Sequence, residues 1–155
     1  MAKEYKPTLF GRVGNKLLVA LVRRGLKIGL IWLLTVKGRK SGQPRTTPVA
    51  VVERDGVRYL VAAYGVVNWV LNIRAVGQGT LTRGDRSEEI VAVELTPEEA
   101  APILKETFAT SPSFVRAYWN VTPESPLEDF EREAVRHPVF LVKEAGAEEG
   151  SAKVA

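Results

Sequence analysis

The chain has 155 residues, of which 45% are hydrophobic and 26% charged, values typical of one globular domain. It contains no cysteine and a single histidine, which excludes disulfides, thiolate nucleophiles and thiolate metal sites and leaves no standard set of zinc ligands. The net charge of +4 is uneven, because residues 1–45 hold eleven Lys or Arg against one acidic residue and residues 46–155 hold eleven against seventeen. The basic N-terminal third favours an anionic partner, although charge alone does not distinguish a membrane surface, a nucleic acid or a small anion.

The N-terminal region predicts an arm followed by a helix. Residues 1–7 are polar and end at Pro7, which indicates a flexible arm. From Thr8 to about Lys27 the spacing predicts an amphipathic helix. Its basic face carries Arg12, Lys16, Arg23 and Lys27, and its apolar residues Leu17, Leu21 and Ile28 lie away from that face. Such a helix either contacts an anionic membrane surface or packs on the domain with its basic side in solvent.

Strand patterns dominate the next segment. An apolar run rich in β-branched residues predicts a buried strand from Leu30 to Lys37. Two further strands, Thr46–Glu53 and Val57–Ala63, are joined by Asp55-Gly56, a pair typical of hairpin turns. A helix is then predicted over Asn68–Val76, with Gly77 as its left-handed cap.

The second half of the chain predicts one more hairpin, three helices and a last strand. The hairpin strands are Gly79–Thr82 and Glu88–Glu94, and Thr96, Pro97 and Glu99 form the capping signal of a helix that reaches about Phe108. The later elements are short helices near Ser113–Trp119 and Leu127–Arg136 and a strand over Pro138–Lys143. Residues 145–155 predict a disordered tail, which leaves one domain over residues 8–144. We expect a mainly β, α+β fold in which five to seven antiparallel strands form a closed or half-closed barrel with flanking helices.

Several classes of chemistry and location are disfavoured. No Walker loop, dinucleotide-binding glycine motif or Gly-x-Ser-x-Gly elbow is present, and His137 before Pro138 is interpreted as a structural residue at a strand edge. The basic segment lacks interleaved aromatics, which argues against nucleic acid. The longest uncharged apolar run, Ile28–Val36, is far shorter than the ~20 residues of a membrane-spanning helix, and no secretory signal is visible. We expect a cytoplasmic protein that, if it is an enzyme, takes its reactive atom from a cofactor.

The composition of the segment from Gly38 to Pro48 predicts a binding site. It places three cations and three hydroxyls between two strands, and its glycines allow successive N–H groups to point at one anion. Arg39 and Arg45 offer planar forks of donors and Lys40 adds a point charge, which would suit a phosphodiester or a polycarboxylate. The alternative is a solvated hairpin loop that happens to be basic.

Two segments resemble a known family. Leu34–Pro48, which reads LTVKGRKSGQPRTTP, resembles the signature of the deazaflavin-dependent nitroreductases, and Gly65–Ala75, GVVNWVLNIRA, resembles their Trp followed by Asn-x-Arg. The resemblance extends from about Phe10 to Val142. It implies a flavin-reductase-like split β-barrel and, as electron donor, reduced coenzyme F-420, a deazaflavin with a phosphodiester and an oligoglutamate tail.

The resemblance also implies roles for individual residues. The phosphate and tail would contact Arg39, Lys40, Ser41 and Arg45, with Gln43 and Thr47 beside them, and the ring would lie near Tyr59, Ala62, Ala63 and Tyr64. From the residues themselves, Trp69 is interpreted as a core or pocket-wall aromatic rather than a catalyst. Asn72 and Arg74 would either brace the barrel by hydrogen bonds or contact the ligand, and Tyr118 and Trp119 would either line the substrate mouth or pack a helical face. A proton would come from solvent or from Tyr64 or Tyr118. The segment between Ala63 and Trp69 is shorter than in better-studied nitroreductases, so the acceptor side is expected to differ.

These features predict an oxidoreductase, monomeric or homodimeric, that transfers a hydride from reduced coenzyme F-420 to an electron-poor acceptor. A quinone, a nitro compound and a conjugated carbonyl all qualify as that acceptor. Two alternatives stay open, namely a split barrel that binds FMN or haem, and a non-catalytic module bound to a membrane surface through the N-terminal helix.

Overall fold

A computed structural model describes residues 2–4, 15–20 and 31–145. The predicted arm is therefore described only at residues 2–4 and the predicted amphipathic helix only at residues 15–20, which are helical. The predicted tail lies outside the described residues except for Ala145. None of the described helices is both long and apolar enough to cross a bilayer.

Six antiparallel strands form a closed barrel. They are β1 (Ile31–Lys37), β2 (Pro44–Arg54), β3 (Val57–Val61), β4 (Gln78–Arg83), β5 (Arg86–Glu94) and β6 (Val139–Glu144). Their order around the barrel is β1-β2-β3-β6-β5-β4, and pairing of β4 with β1 closes it. The predicted antiparallel barrel with flanking helices is confirmed. Closure pairs the strand edges that an open sheet would leave exposed.

Four helices belong to the described part after β1: α1 (Asn68–Val76), α2 (Pro97–Thr110), α3 (Ser113–Arg116) and α4 (Leu127–Glu133). Helix α1 has the predicted bounds, and Gly77 (φ 78°) ends it by donating its N–H to the carbonyl of Ile73. Helix α2 has the predicted capping box, since Thr96 Oγ1 accepts from the backbone of Glu99 and the Glu99 carboxylate accepts from that of Thr96. Helices α3 and α4 each end three residues earlier than predicted.

The strands separate two hydrophobic cores, because successive side chains of a strand point to opposite faces of the sheet. Leu60 on β3 points into the barrel and belongs to its interior core, together with Leu34 on β1. The neighbouring Val61 points outward and belongs to a second core with residues of α2 and α4, among them Leu104 and Phe130. The helical layer is therefore fastened to the outside of β3 and β6.

One end of the barrel carries the features of interest. The β1–β2 turn, the end of β3 and the beginnings of β4 and β6 all lie there, as the antiparallel pairings require. Helix α1 connects β3 to β4 across this end and buries Val70 and Ile73 in the interior core. In the predicted arm, the N–H groups of Ala2 and Lys3 donate to Asn120 Oδ1 (2.7 Å) and to the carbonyl of Ala117 (2.9 Å). This part of the arm is thus held against the segment that follows α3.

Candidate functional site

The basic turn from Gly38 to Gln43 has a defined backbone conformation. The N–H of Gly38 donates to the Gln43 carbonyl at 2.8 Å, and the N–H of Gly42 donates to the Gly38 carbonyl at 2.9 Å. Gly42 has φ 71°, a left-handed conformation that glycine adopts without a steric penalty. A Cβ atom on Gly38 would lie only 2.8 Å from Ser41 Oγ, so a larger residue there would displace the Ser41 side chain.

The side chain of Asn72 on α1 anchors the turn by two hydrogen bonds. Its side chain is buried, with 5% of the residue exposed, and its Oδ1 accepts from the backbone N–H of Arg39 at 3.1 Å and from Arg39 Nη1 at 2.8 Å. One donor of the guanidinium is used in this way, and four further donors belong to the same group. The sequence analysis expected Asn72 to brace the barrel and missed its link to a residue 33 positions away. The available signal was an amide flanked by the apolar residues Leu71 and Ile73.

The three cations in and beside the turn are exposed, and none has an acidic partner in the part of the chain that the structure describes. Arg39, Lys40 and Arg45 are all exposed, as are Ser41 and Gln43. Within residues 2–4, 15–20 and 31–145, no carboxylate oxygen lies within 4.0 Å of the charged nitrogens of these three side chains. Two positive charges on the turn and a third beside it on β2 fit an anionic group that brings several oxygens, as a phosphodiester or a run of carboxylates does.

Thr47 lies on β2 shortly after this turn, and Trp69 lies on α1, the helix that carries Asn72. Thr47 pairs with Leu34 across β1 and β2 and shares its strand face with the buried Val49, whereas Thr46 points outward and its hydroxyl lies 2.8 Å from that of Thr35. Trp69 begins α1, is half-buried and packs against the barrel core.

The end of β3 forms the second half of the site. Ala62 is buried in the interior core, and Ala63 and Tyr64 follow it towards the surface. Trp119 Nε1 donates to the Ala63 carbonyl at 2.9 Å. The rings of Tyr64 and Tyr118 meet edge to face with their centroids 5.1 Å apart, and Tyr64 is 37% exposed. The structure therefore brings together the two tyrosines that the sequence analysis named as proton donors.

Tyr59 does not belong to this group. It packs outward against the second core, near the β2–β3 turn, and helps to line a shallow depression of about 290 Å3 with Arg54, Glu99 and Ile103. Side chains three positions apart on a strand point to opposite faces, so Tyr59 and Ala62 could not both have faced one ring. The expectation for Tyr59 is corrected accordingly.

Arg74 and His137 have structural contacts. Arg74 forms a bidentate ion pair with Glu94, from Nε to Oε1 at 2.8 Å and from Nη2 to Oε2 at 2.9 Å. This pair braces α1 against β5, as expected. His137 precedes β6 but is buried rather than placed at an exposed edge, with 1% of the residue exposed. Burial lowers the pKa of His137, and hydrogen bonds to the carbonyls of Ala62 and Tyr118 oppose that effect.

The family assignment follows from a match over most of the chain. Residues 11–123 match the model of a family described as F-420H(2)-dependent quinone reductase. The chain belongs to that family. It is therefore a reductase that depends on coenzyme F-420, in agreement with the resemblance carried by the basic turn and with the anionic group that the turn fits.

Solved structures similar to this reductase support the fold. A structure named F-420-H2 Dependent Reductase (FDR-A) superimposes with a TM-score of 0.53 at 25% identity, over 77% of this chain and 100% of that one. A chain described as a domain-swapped dimer gives 0.53 at 21% identity, over 88% and 100%. A protein of unknown function from Agrobacterium tumefaciens gives 0.52 at 16% identity, over 90% and 59%. No curated protein sequence matches the reductase.

Proposed function

We propose that this reductase transfers a hydride from reduced coenzyme F-420 to a quinone-type acceptor, with the Gly38–Gln43 turn holding the anionic end of the coenzyme. The observation that carries the proposal is a turn with two exposed cations and a third, Arg45, beside it on β2; none of the three has an acidic partner among the described residues, and the buried Asn72 anchors the turn. The family description favours a quinone over the nitro compounds and conjugated carbonyls that the sequence also allows.

The residues in and beside the turn would bind the anionic end of the coenzyme and fix its orientation. Arg39, Lys40 and Arg45 would bind the phosphodiester and tail carboxylates by charge-assisted hydrogen bonds. The Asn72 amide holds the Arg39 guanidinium in one orientation, which lowers the entropy lost on binding. Ser41 and Gln43 add polar groups beside these cations on the exposed side of the turn.

The end of β3 would position the reacting groups. When bound, reduced coenzyme F-420 supplies a hydride, that is two electrons and one proton. A second proton is needed to complete a quinol, and the hydroxyl groups of Tyr64 and Tyr118 are candidate donors at this end of the barrel, with solvent as the other source. The bond from Trp119 to Ala63 holds the backbone of this segment in place.

The test measures binding and turnover separately. Purified protein is mixed with reduced coenzyme F-420 and menadione, and oxidation is followed by the visible absorbance of the coenzyme. Coenzyme affinity is measured by fluorescence titration, with FMN and haem as competitors that test the alternative cofactors. Failure of the wild-type protein to bind or oxidise the coenzyme would exclude the proposal.

The chain offers a matched pair of variants on β2. Arg45→Gln removes a cation next to the turn, and Arg54→Gln removes an exposed cation at the other end of the same strand. Loss of one charge-assisted contact of about 1.5–3 kcal/mol predicts coenzyme binding roughly 10- to 100-fold weaker for Arg45→Gln. Arg54→Gln should bind like the wild type, and equal losses in both variants would indicate a non-specific effect of net charge.

A membrane contact is a second candidate, favoured by one observation on residues 15–20. Lys16 and Leu17 are both exposed there, and Leu17 is 61% exposed. An exposed leucine beside a lysine suits an interface between water and anionic lipid. We propose that this segment contacts the membrane in which quinones reside, and flotation with anionic and neutral liposomes, using Leu17→Ser as the variant, tests it.

A further inference from the structure

His137 joins the two segments that carry Tyr64 and Tyr118. Its Nδ1 lies 2.8 Å from the carbonyl oxygen of Ala62, two residues before Tyr64. Its Nε2 lies 3.0 Å from the carbonyl oxygen of Tyr118 itself. One buried ring therefore spans from the end of β3 to the segment after α3, at the place where the two tyrosine rings meet.

The ring is held rigidly in this position. It lies parallel to the indole of Trp119, with 4.1 Å between centroids and 11° between planes. The same indole donates to the carbonyl of Ala63, so His137 and Trp119 together fix two consecutive carbonyls after β3. A polar ring that is 1% exposed is retained in a protein interior where its hydrogen bonds compensate the loss of water.

The two carbonyl partners make the contact sensitive to protonation. Carbonyl oxygens only accept hydrogen bonds, and a neutral imidazole has one N–H, so only the imidazolium donates to both. The charged groups that face the ring are Glu133 from α4, whose Oε1 lies 3.8 Å from Nε2, and Arg136 from the segment before β6. Glu133 favours the imidazolium, whereas burial and Arg136 favour the neutral ring.

We propose that His137 is a positioning residue for the acceptor side of the site, clamping the Tyr64 segment to the Tyr118 segment and thereby setting the spacing of the two tyrosines. This inference rests on the proposed function for its kinetic consequences. It assigns no chemical step to His137, which lies behind the two tyrosines with both of its nitrogens on backbone carbonyls.

The kinetic test uses two variants that each keep half of the clamp. The amide nitrogen of His137→Asn can replace Nδ1, and that of His137→Gln can replace Nε2. Thr107→Val is the matched control, because Thr107 is a buried polar residue of the neighbouring α2 whose hydroxyl bonds only within its helix, to the Ile103 carbonyl. Both His137 variants should lower kcat/KM for menadione by about 10- to 100-fold, the range expected for misplaced reacting groups. Their Kd for the coenzyme should rise by a smaller factor than kcat/KM falls, because the turn that binds its anionic end is untouched.

The inference is overturned if folded His137 variants keep wild-type kinetics with the acceptor, or if Thr107→Val loses as much activity as they do. It is also overturned if coenzyme affinity and acceptor kinetics fall together, since the effect would then be a general loss of structure.

A second measurement uses the wild-type chain and does not depend on turnover. The protein contains a single histidine, so in an untagged sample every imidazole NMR signal belongs to His137. The ring resonances of Tyr64 and Tyr118, assigned with Tyr→Phe variants, should shift with the same midpoint as the imidazole. Tyrosine resonances that ignore the titration of His137 would refute the clamp. Lack of coenzyme oxidation would instead refute the proposed function and leave the NMR coupling intact.

Discussion

Substitution of Asn72 can separate the stability of the basic turn from its charge. Asn72 Oδ1 accepts one neutral hydrogen bond, from Arg39 N at 3.1 Å, and one charge-assisted bond, from Arg39 Nη1 at 2.8 Å. Such bonds contribute about 1 and 1.5–3 kcal/mol respectively. Because Arg39 is exposed and regains water when released, we expect Asn72→Ala to lower the free energy of unfolding by only about 1–2 kcal/mol.

Asn72→Asp should behave differently. It keeps an acceptor oxygen at the same place, so the turn stays anchored, while the cost of burying the new charge opposes the gain from its ion pair with Arg39. The new carboxylate, however, neutralises Arg39, and loss of one charge-assisted contact weakens binding of an anion by roughly 10- to 100-fold. Asn72→Ala leaves the cation in place and should weaken coenzyme binding less than Asn72→Asp does.

Urea denaturation gives the stabilities, and fluorescence titration with coenzyme F-420 at two salt concentrations gives the affinities. The wild-type affinity should fall with added salt, and that of Asn72→Asp should fall less, because fewer charges contribute. If Asn72→Asp binds the coenzyme as tightly as the wild type, Arg39 does not contact the anion and our assignment of the turn is incorrect.

Three further predictions concern the framework of the site. Arg74→Met removes a pair with Glu94 whose side chains are 38% and 40% exposed, so the free energy of unfolding should fall by no more than about 1 kcal/mol, less at high salt, with coenzyme affinity unchanged in the same titration. Burial lowers the pKa of His137, so as the pH falls the unfolded chain takes up a proton before the folded protein does. The stability that His137 contributes above pH 6.5 should therefore be lost as the pH falls through the pKa of the folded protein. Urea denaturation of His137→Asn should accordingly show a free energy of unfolding that depends less on pH. Gly79→Ala places a Cβ 2.8 Å from the Thr35 carbonyl on the neighbouring strand, so thermal melts should show destabilisation of about 1–3 kcal/mol, and an unchanged melting temperature would mean that β1 and β4 can separate locally.

Local signals predicted the elements of this chain well. The bounds of α1 follow from its spacing and from Gly77, and the beginning of α2 follows from its capping box. The Asp55-Gly56 turn occurs where expected, and Asp55 has the positive φ of 53° that such a turn uses. In each case the deciding contacts join residues a few positions apart, which is why the sequence alone suffices.

The site depends on contacts that local signals do not encode. The bond between Asn72 and Arg39 links α1 to the β1–β2 turn, and the bonds of His137 link β6 to β3 and to the segment after α3. Neither follows from a periodic pattern, because both depend on how the barrel closes. Tyr59 is a different case, since the alternation of strand side chains already separates it from Ala62, and the sequence analysis did not apply that rule.

The anchoring of the turn by a helix side chain has a consequence for engineering. A loop that folds on its own contacts can be grafted from one barrel to another as a module. The Gly38–Gln43 loop is instead completed by an amide from a different part of the chain. If the turn binds the coenzyme as proposed, we expect that transplanting the turn alone will not transfer coenzyme binding and that Asn72 has to be transferred with it.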